Sequence, residues 1–313
     1  MPVKVIDVHT HGIGGYDTKA ALAAHILRIA EIQGASGVSE ILLSVYPGPI
    51  DVMRRQMELV RQAIEMQGQG SRAKGRVGGV ADSPPSPVPR PRSAASSRGA
   101  ARIIGVHLEG PFLNPTRCGA LDPRSFIEAR EKTFCELVDG FEDIVKVITV
   151  APELKGARAL IKKMVSRGII VSMGHSDATY GEAEAGWKAG ARGVTHLFNA
   201  MRGFHHREPG LAGFGLLHDD VYVEVIADLH HLNTATLELI FKVKKPERIL
   251  IVSDSDKRAR PTGRERANAD TRGRLQAGSM TVTRSSRRLI EMGFDEKVIA
   301  DATTVNPRRY LGL

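Results

Sequence analysis

Eight strand-like apolar runs divide the chain and place the strongest constraint on its fold. They are rich in Val and Ile with little polar alternation, a pattern typical of parallel strands covered on both faces. From the fourth run onward the starts lie about 25 residues apart, the length of a strand, a loop and a helix. The runs begin near Val3, Glu40, Arg102, Val145, Ile169, Gly193, Val221 and Arg248. Eight such units predict an α/β protein with a closed (β/α)8 TIM barrel.

The segments between the runs carry helical patterns. Leu160, Ile161 and Met164 recur at helical spacing, and Gly168 stands where a C-terminal cap is expected. A chain of 313 residues with 42% hydrophobic content can bury one large core. We therefore predict a single barrel domain over residues 1–313.

Two stretches interrupt this pattern. Residues 68–100 contain a Pro-rich and a Ser-rich run, which predict a disordered basic insertion between the second helix and the third strand. Residues 256–286 contain few large apolar side chains and are predicted to be an irregular basic segment. Beyond them, residues 288–292 and 296–304 are predicted to be helices that close the barrel, with Asn306-Pro307 ending the second.

The net charge of +9 is concentrated in these stretches. Residues 68–100 hold six basic residues against one acidic, and residues 256–288 hold ten against three, so the rest of the chain is mildly acidic. Neither stretch contains Phe, Tyr or Trp, which base stacking on a nucleic acid requires. We expect solvated basic loops and no nucleic-acid partner.

Composition also argues against a membrane protein and a disulfide scaffold. No run approaches the ~18 consecutive apolar residues of a membrane span, and the first residues lack the pattern of a signal peptide. The two cysteines, Cys118 and Cys135, form no CxxC pattern. These features predict a cytoplasmic protein without membrane contact.

Histidines and carboxylates follow five of the eight runs. Because the carboxyl ends of barrel strands converge on one face, side chains far apart in sequence are expected to meet there. His9 and His11 are two residues apart and share one face of a strand. The set is His9 and His11 after the first run, Glu109 after the third, His175 after the fifth, His196 after the sixth and Asp254 after the eighth.

This set has the chemistry of a metal site. Any one of these histidines is more often a hydrogen-bonded polar residue than a ligand, and Glu109 alone could equally cap a helix. Such residues at the carboxyl ends of five strand-like runs, in barrel order, favour metal binding. Nitrogen and oxygen donors without cysteine suit Zn²⁺ or Fe²⁺. A bridging Glu109 is compatible with two ions. Asp254 could take a proton from a metal-activated water and pass it to a leaving amine.

Several motifs resemble one known family. The chain is similar to N-acetylglucosamine-6-phosphate deacetylases of the amidohydrolase superfamily from about Val5 to Asp254, and weakly again at 306–313. The most specific matches are His-Leu-Glu-Gly-Pro at 107–111, Thr-His-Leu-Phe-Asn-Ala-Met at 195–201 and Arg-Glu-Pro-Gly at 207–210. Members of this family remove the acetyl group from an amino-sugar phosphate.

The resemblance implies a role for each matching residue. Glu109, His175 and His196 are expected to bind the principal metal ion, and His9 and His11 to hold or help hold a second, since members differ between one and two ions. Asp254 is the expected general base and acid. Asn199, Ala200, Arg207, His231 and Ala120 are the expected substrate-binding residues, with Arg207 on the phosphate of its own site or of its partner's site in a homodimer.

Two departures from the family pattern stand out. Relatives carry a small β domain around the barrel, and this chain lacks most of it, which predicts an oligomer interface or coverage of the exposed barrel surface by the basic segments. The sequence after Asp254 also differs from the usual Gly-rich loop. The open alternatives are another N-acetylated substrate, such as N-acetylgalactosamine 6-phosphate or an N-acyl amino acid, and a catalytically inert sugar-phosphate-binding homologue.

Overall fold

Eight parallel strands form a nearly closed barrel in this computed structural model, which describes residues 4–74, 99–262, 266–271 and 273–313. The strands pair in chain order, and each begins within three residues of its predicted start, so the predicted (β/α)8 barrel is confirmed. The strands are β1 (Ile6–Thr10), β2 (Glu40–Val45), β3 (Arg102–Leu108), β4 (Val145–Val150), β5 (Ile170–Met173), β6 (Gly193–Val194), β7 (Tyr222–Ile226) and β8 (Ile249–Val252).

A seam between β8 and β1 closes the circle. Instead of a regular ladder between these strands, the described residues show individual bonds at this position. Asp254 N donates to the carbonyl oxygen of His9 at 2.8 Å, and Ser253 N donates to the side chain of Asp7 at 3.2 Å. Asp7 also accepts from His9 N at 3.2 Å. One buried carboxylate thus joins the first and last strands directly below two predicted site residues.

The helices lie outside the barrel, where their apolar faces cover the strands. The cap Asn233 accepts a hydrogen bond from Ala235 N, as expected at a helix start. The helices are α1 (Ala23–Ala35), α2 (Ile50–Lys74), α3 (Glu131–Val138), α4 (Ala157–Ser166), α5 (Tyr180–Lys188), α6 (Gly210–Leu217), α7 (Thr234–Val243), α8 (Val282–Glu291), α9 (Glu296–Thr303) and α10 (Val305–Leu311). No helix within the described ranges is long and apolar enough to cross a membrane.

The apolar core has two layers. A large cluster lies between the barrel and its helices, and a smaller one brings together Ile6, Val147, Tyr222 and Leu250 from strands that are not all neighbours. Such residues can meet only through the interior of the barrel. Tyr310 of α10 packs into this inner cluster. The inner layer supports the site from below.

The two predicted irregular stretches are only partly described. Residues 75–98, which hold most of the predicted insertion, lie outside the described residues, and residues 68–74 continue α2. In the second stretch, Asn268–Ala269 pairs antiparallel with Leu275–Ala277. Helix α8 begins at Val282, so the predicted irregular segment is wrong at residues 282–286, because Val282, Ser285 and Leu289 recur at helical spacing and form a buried face.

The expectation that Asn306-Pro307 ends a helix is wrong. Helix α9 ends at Thr303, and α10 begins at Val305 with Pro307 in its first turn. A proline is tolerated there because the first N–H groups of a helix have no intrahelical partner. The Asn306 side chain instead donates to the carbonyl oxygens of Pro246 and Ile249.

Candidate active site

A cavity of about 830 Å³ opens at the carboxyl ends of the strands. Nine of the predicted site residues line it, so the barrel brings together side chains from six strand exits and the loop after β3. Among the predicted residues, His9 is buried beneath the cavity and Arg207 lies outside its lining. The nine residues are His11, Glu109, Ala120, His175, His196, Asn199, Ala200, His231 and Asp254.

Glu109, His175 and His196, here called the β3/β5/β6 group, meet at one point of the cavity floor. Glu109 Oε1 lies 3.1 Å from His175 Nε2 and 3.3 Å from His196 Nε2, and the two Nε2 atoms are 3.1 Å apart. In a tetrahedral site with metal–ligand bonds of ~2.0–2.1 Å, ligand atoms are separated by roughly 3.3 Å. The three donor atoms therefore have the spacing of a shared ion.

Hydrogen bonds on the far side of each imidazole determine which ring nitrogen carries the proton and which one faces the other donor atoms. His175 Nδ1 donates to the carbonyl oxygen of Arg117 at 3.0 Å, and His196 Nδ1 donates to that of Asn199 at 3.1 Å. In the neutral imidazole the Nε2 atoms are then hydrogen-bond acceptors. Two imidazole lone pairs and a carboxylate oxygen facing one another require a cation between them. The residues present fit a divalent metal ion.

His9, His11 and Asp254, here called the β1/β8 group, lie beside the first group. Asp254 Oδ1 is 3.3 Å from His9 Nε2 and 3.5 Å from His11 Nε2. Glu109 Oε2 is 3.3 Å from His11 Nε2, so the Glu109 carboxylate is shared between the two groups. With Glu109, this group forms a second set of buried donors able to hold an ion.

Sequence reasoning missed Glu224, a buried carboxylate in the middle of β7. Its Oε2 accepts a hydrogen bond from His9 Nδ1 at 2.8 Å. In Tyr-Val-Glu-Val-Ile the glutamate is the one charged residue of a buried strand, and this interruption was the available signal. His107 does not join the cluster as a ligand: its Nε2 contacts Thr149 Oγ1 at 2.8 Å and its Nδ1 contacts Val8 O at 3.3 Å.

The two carboxylates at the cavity floor have opposite electrostatic environments. Burial raises the pKa of Glu109, but the close approach of the His11, His175 and His196 imidazoles to its oxygen atoms outweighs burial and holds this pKa well below its usual range. Burial and the neighbouring carboxylates, Glu109 first, raise the pKa of Asp254 well above its usual range. Glu109 is therefore suited to remain ionised as a ligand and Asp254 to exchange a proton.

Three of the predicted metal-ligand and acid–base residues adopt backbone conformations that L-residues avoid. The φ angles of His175, His196 and Asp254 are 46°, 32° and 45°. Left-handed conformations of this kind cost about 1–3 kcal/mol each and persist only where the surroundings determine them. At the β5 exit, Glu153 provides this support by accepting from Ser176 Oγ at 2.7 Å and Asp177 N at 2.6 Å.

His231 is held by Asp228 after β7. The carboxylate of Asp228 accepts from His231 Nδ1, which leaves the other ring nitrogen available on the cavity side. The same carboxylate accepts from Ser279 N at 3.1 Å and from Ser279 Oγ at 3.2 Å. The segment before α8 is thus tied to the predicted substrate-binding histidine.

The remaining predicted substrate residues differ in position. Asn199 and Ala200 lie on the cavity wall beside Ala120. Arg207 is exposed and contacts His206 at 3.2 Å. Sequence reasoning did not assign Lys19, Lys257 or Arg258, the lysine and arginine residues that line the cavity. Gln276 also lines the cavity and, like Lys257 and Arg258, belongs to the predicted irregular segment.

Comparisons with known proteins identify relatives of this chain. N-acetylgalactosamine-6-phosphate deacetylase of Escherichia coli O157:H7 is 27% identical over 321 residues, covering 98% of this chain and 77% of that protein. N-acetylglucosamine-6-phosphate deacetylase of Bacillus subtilis (strain 168) is 39% identical over 156 residues, covering 50% of this chain and 39% of that protein. No protein-family model matches the chain.

A solved structure extends the match to the fold. The crystal structure of N-acetylglucosamine-6-phosphate deacetylase from Thermotoga maritima superimposes with a TM-score of 0.81 at 25% identity, covering 99% of this chain and 78% of that one. The chain therefore spans about three quarters of the solved relative and less than half of the Bacillus protein. Together with the residue-by-residue motifs, these matches confirm the resemblance. The chain is a homologue of the N-acetylglucosamine-6-phosphate deacetylases and shares their amidohydrolase-type fold.

Proposed function

We propose that this chain hydrolyses the acetamide of N-acetylglucosamine 6-phosphate to glucosamine 6-phosphate and acetate in a metal-dependent reaction. The observation that carries the proposal is the convergence of acceptor atoms from Glu109, His175 and His196 beside the Asp254 carboxylate, at the floor of a cavity large enough for a sugar phosphate. The curated and solved relatives support the substrate class by their names.

The ligand assignments form part of the proposal. Glu109, His175 and His196 hold the principal ion, and His9 and His11 hold a second, with Zn²⁺ or Fe²⁺ favoured by the nitrogen and oxygen donors. A bound ion supplies an acidified water and polarises the carbonyl that it contacts. Asp254 accepts the proton of the attacking water and delivers it to the leaving nitrogen as the C–N bond breaks.

The proposed substrate contacts rest on the family resemblance and are supported by the lining of the cavity. Asn199 and Ala200 are proposed to contact the sugar phosphate, with Ala120 lining the sugar pocket. His231, oriented by Asp228, is proposed to hydrogen-bond the acetyl carbonyl or a phosphate oxygen. Arg207 is exposed here, so in this proposal it reaches the phosphate of a second copy in a homodimer. A stable monomer in sedimentation would contradict this last assignment.

A second candidate substrate is N-acetylgalactosamine 6-phosphate. The observation that favours it is the Escherichia coli relative, which aligns with nearly the whole chain and is named for that epimer. The two substrates differ in the orientation of one hydroxyl group, so discrimination depends on a small number of polar contacts.

The test is acetate release from both epimers by metal-reconstituted protein. We expect turnover of the glucosamine substrate and a loss of about 10²–10⁴-fold in Asp254→Asn, with the principal metal ion still bound. Asp219→Asn, a change at an exposed carboxylate paired with Lys245, is the matched control and should retain activity. Absence of turnover in folded, metal-loaded protein would contradict the enzyme proposal. Preference for the other epimer would select the second candidate.

A further inference from the structure

Glu224 is a carboxylate in a place where burial is costly. It lies in the middle of β7 and is 1% exposed. A buried charge is destabilising unless it is paired and hydrogen-bonded, and a well-packed apolar residue would avoid that cost. Its contacts therefore indicate what it does in this barrel.

One oxygen of Glu224 contacts both halves of the candidate site. Oε2 accepts from His9 Nδ1 at 2.8 Å and more weakly from the main-chain N–H of His196 at 3.4 Å. The other oxygen, Oε1, lies 4.0 Å from His107 Nδ1 and has no hydrogen-bond partner among the described residues. The short contact to His9 is the dominant one.

This contact determines which nitrogen of His9 faces the cluster as an acceptor. Because Nδ1 carries the proton donated to Glu224, the lone pair is on Nε2. That atom lies 3.3 Å from Asp254 Oδ1 and 3.7 Å from Glu109 Oε1. It has no hydrogen-bond partner in the described part of the chain. An imidazole acceptor facing two carboxylates fits a cation between them.

We propose that Glu224 is a positioning residue that fixes His9 as an Nε2 ligand and thereby sets the affinity of a second ion among His9, His11, Glu109 and Asp254. The inference rests on the proposed metal-dependent function and extends it to the residue that orients one of the ligands. The β3/β5/β6 group has no equivalent dependence, since its imidazoles are oriented by main-chain carbonyl oxygens.

A rival role for Glu224 is direct ligation together with His9 and His107, which also form a buried set of donors. The contacts of His107 argue against it. Its Nδ1 faces the carbonyl oxygen of Val8, to which it can only donate, and its Nε2 faces Thr149 Oγ1. Both nitrogens of His107 are therefore engaged, and its lone pair is directed away from Glu224.

The test is calorimetric titration of metal-stripped protein with Zn²⁺, which needs no turnover. We expect Glu224→Leu to weaken the weaker site by about 10–100-fold and leave the tighter site unchanged. Glu224→Gln, which keeps an acceptor oxygen, should lose less. His9→Ala should lose the same weaker site. The double variant Glu224→Leu with His9→Ala should show no further loss of Zn²⁺ affinity. Glu40→Leu, which removes an equally buried carboxylate from β2, should leave both sites intact.

Several outcomes would overturn the proposal. The proposal is wrong if Glu224→Leu binds Zn²⁺ with wild-type affinity. It is also wrong if the losses of Zn²⁺ affinity add in the double variant, or if His107→Asn loses an ion. If Glu224→Leu does not fold, the Zn²⁺ affinity of Glu224→Gln is compared with that of His9→Ala instead. A Glu224→Gln affinity equal to that of the wild type then overturns the proposal. Missing turnover in protein that binds both ions would overturn the proposed function and leave this inference standing.

Discussion

The two halves of the candidate site are held in place by different means. In the β3/β5/β6 group, His175 and His196 are oriented by main-chain carbonyl oxygens of loops on the same face. In the β1/β8 group, His9 is oriented by the side chain of Glu224, more than two hundred residues away, and His11 Nδ1 has no partner among the described residues. His11 instead stacks on Tyr46 with ring centroids 3.8 Å apart.

This difference teaches which half is easier to disturb. The first group depends on backbone that the barrel itself determines, whereas the second depends on a seam without a regular ladder and on single side chains. The second group also adjoins the segment after Asp254, where a departure from the family pattern is expected. We expect changes near the seam to affect the β1/β8 group selectively.

The largest effect is expected from Glu109→Gln, because this carboxylate belongs to both groups. Loss of several kcal/mol of metal-derived stabilisation corresponds to about 10³-fold or more in acetate release. The metal-free protein should not be destabilised, since an amide N–H can donate to the converging Nε2 acceptors. Metal content, turnover and thermal unfolding check this, with Glu65→Gln, at an exposed position of α2, as the control. Tight metal binding in the variant would contradict the assignment.

An intermediate effect is expected from Asp7→Leu at the seam. The change leaves His9 N and Ser253 N without their acceptor, which costs roughly 2 kcal/mol or more of unfolding free energy. Asp7→Asn keeps an acceptor oxygen and should lose less. Denaturant unfolding measures the stability, and metal titration should show selective weakening of the site that contains His9. Equal loss at both sites would show that the two halves are not independent.

The smallest of these effects is expected from Gly278→Ala. A Cβ atom at this position would lie 1.8 Å from the carbonyl oxygen of Ser253, so the segment must move away from the seam. Overpacking of this kind costs about 1–3 kcal/mol. Gly181→Ala, where an added Cβ meets nothing within 4 Å, is the control and should be neutral or stabilising. We also expect slower acetate release, because Gly278 N donates to the carbonyl oxygen of Asp254 at 2.8 Å. Unchanged kinetics in Gly278→Ala would show that this segment does not support Asp254.

Much of the fold could be predicted because buried parallel strands leave a direct pattern in the sequence. Each apolar run must span the barrel wall, so the change from polar to apolar residues marks its approximate start. The ligand types were also recognisable, since polar residues at the ends of apolar runs are conspicuous. The boundary between α9 and α10 was not, because Pro307 is compatible both with a helix end and with a first helical turn.

The sequence by itself determined the eight βα units and the six histidines and carboxylates at their exits, because these depend on local hydrophobic patterns and on strand order. Only the tertiary structure decided which nitrogen of each imidazole faces the cluster, that Glu224 lies beneath His9, and that Arg207 stands outside the cavity. These features depend on closure of the barrel. Closure places residues from opposite ends of the chain within hydrogen-bonding distance, and hydrogen-bond direction leaves no pattern in a linear sequence.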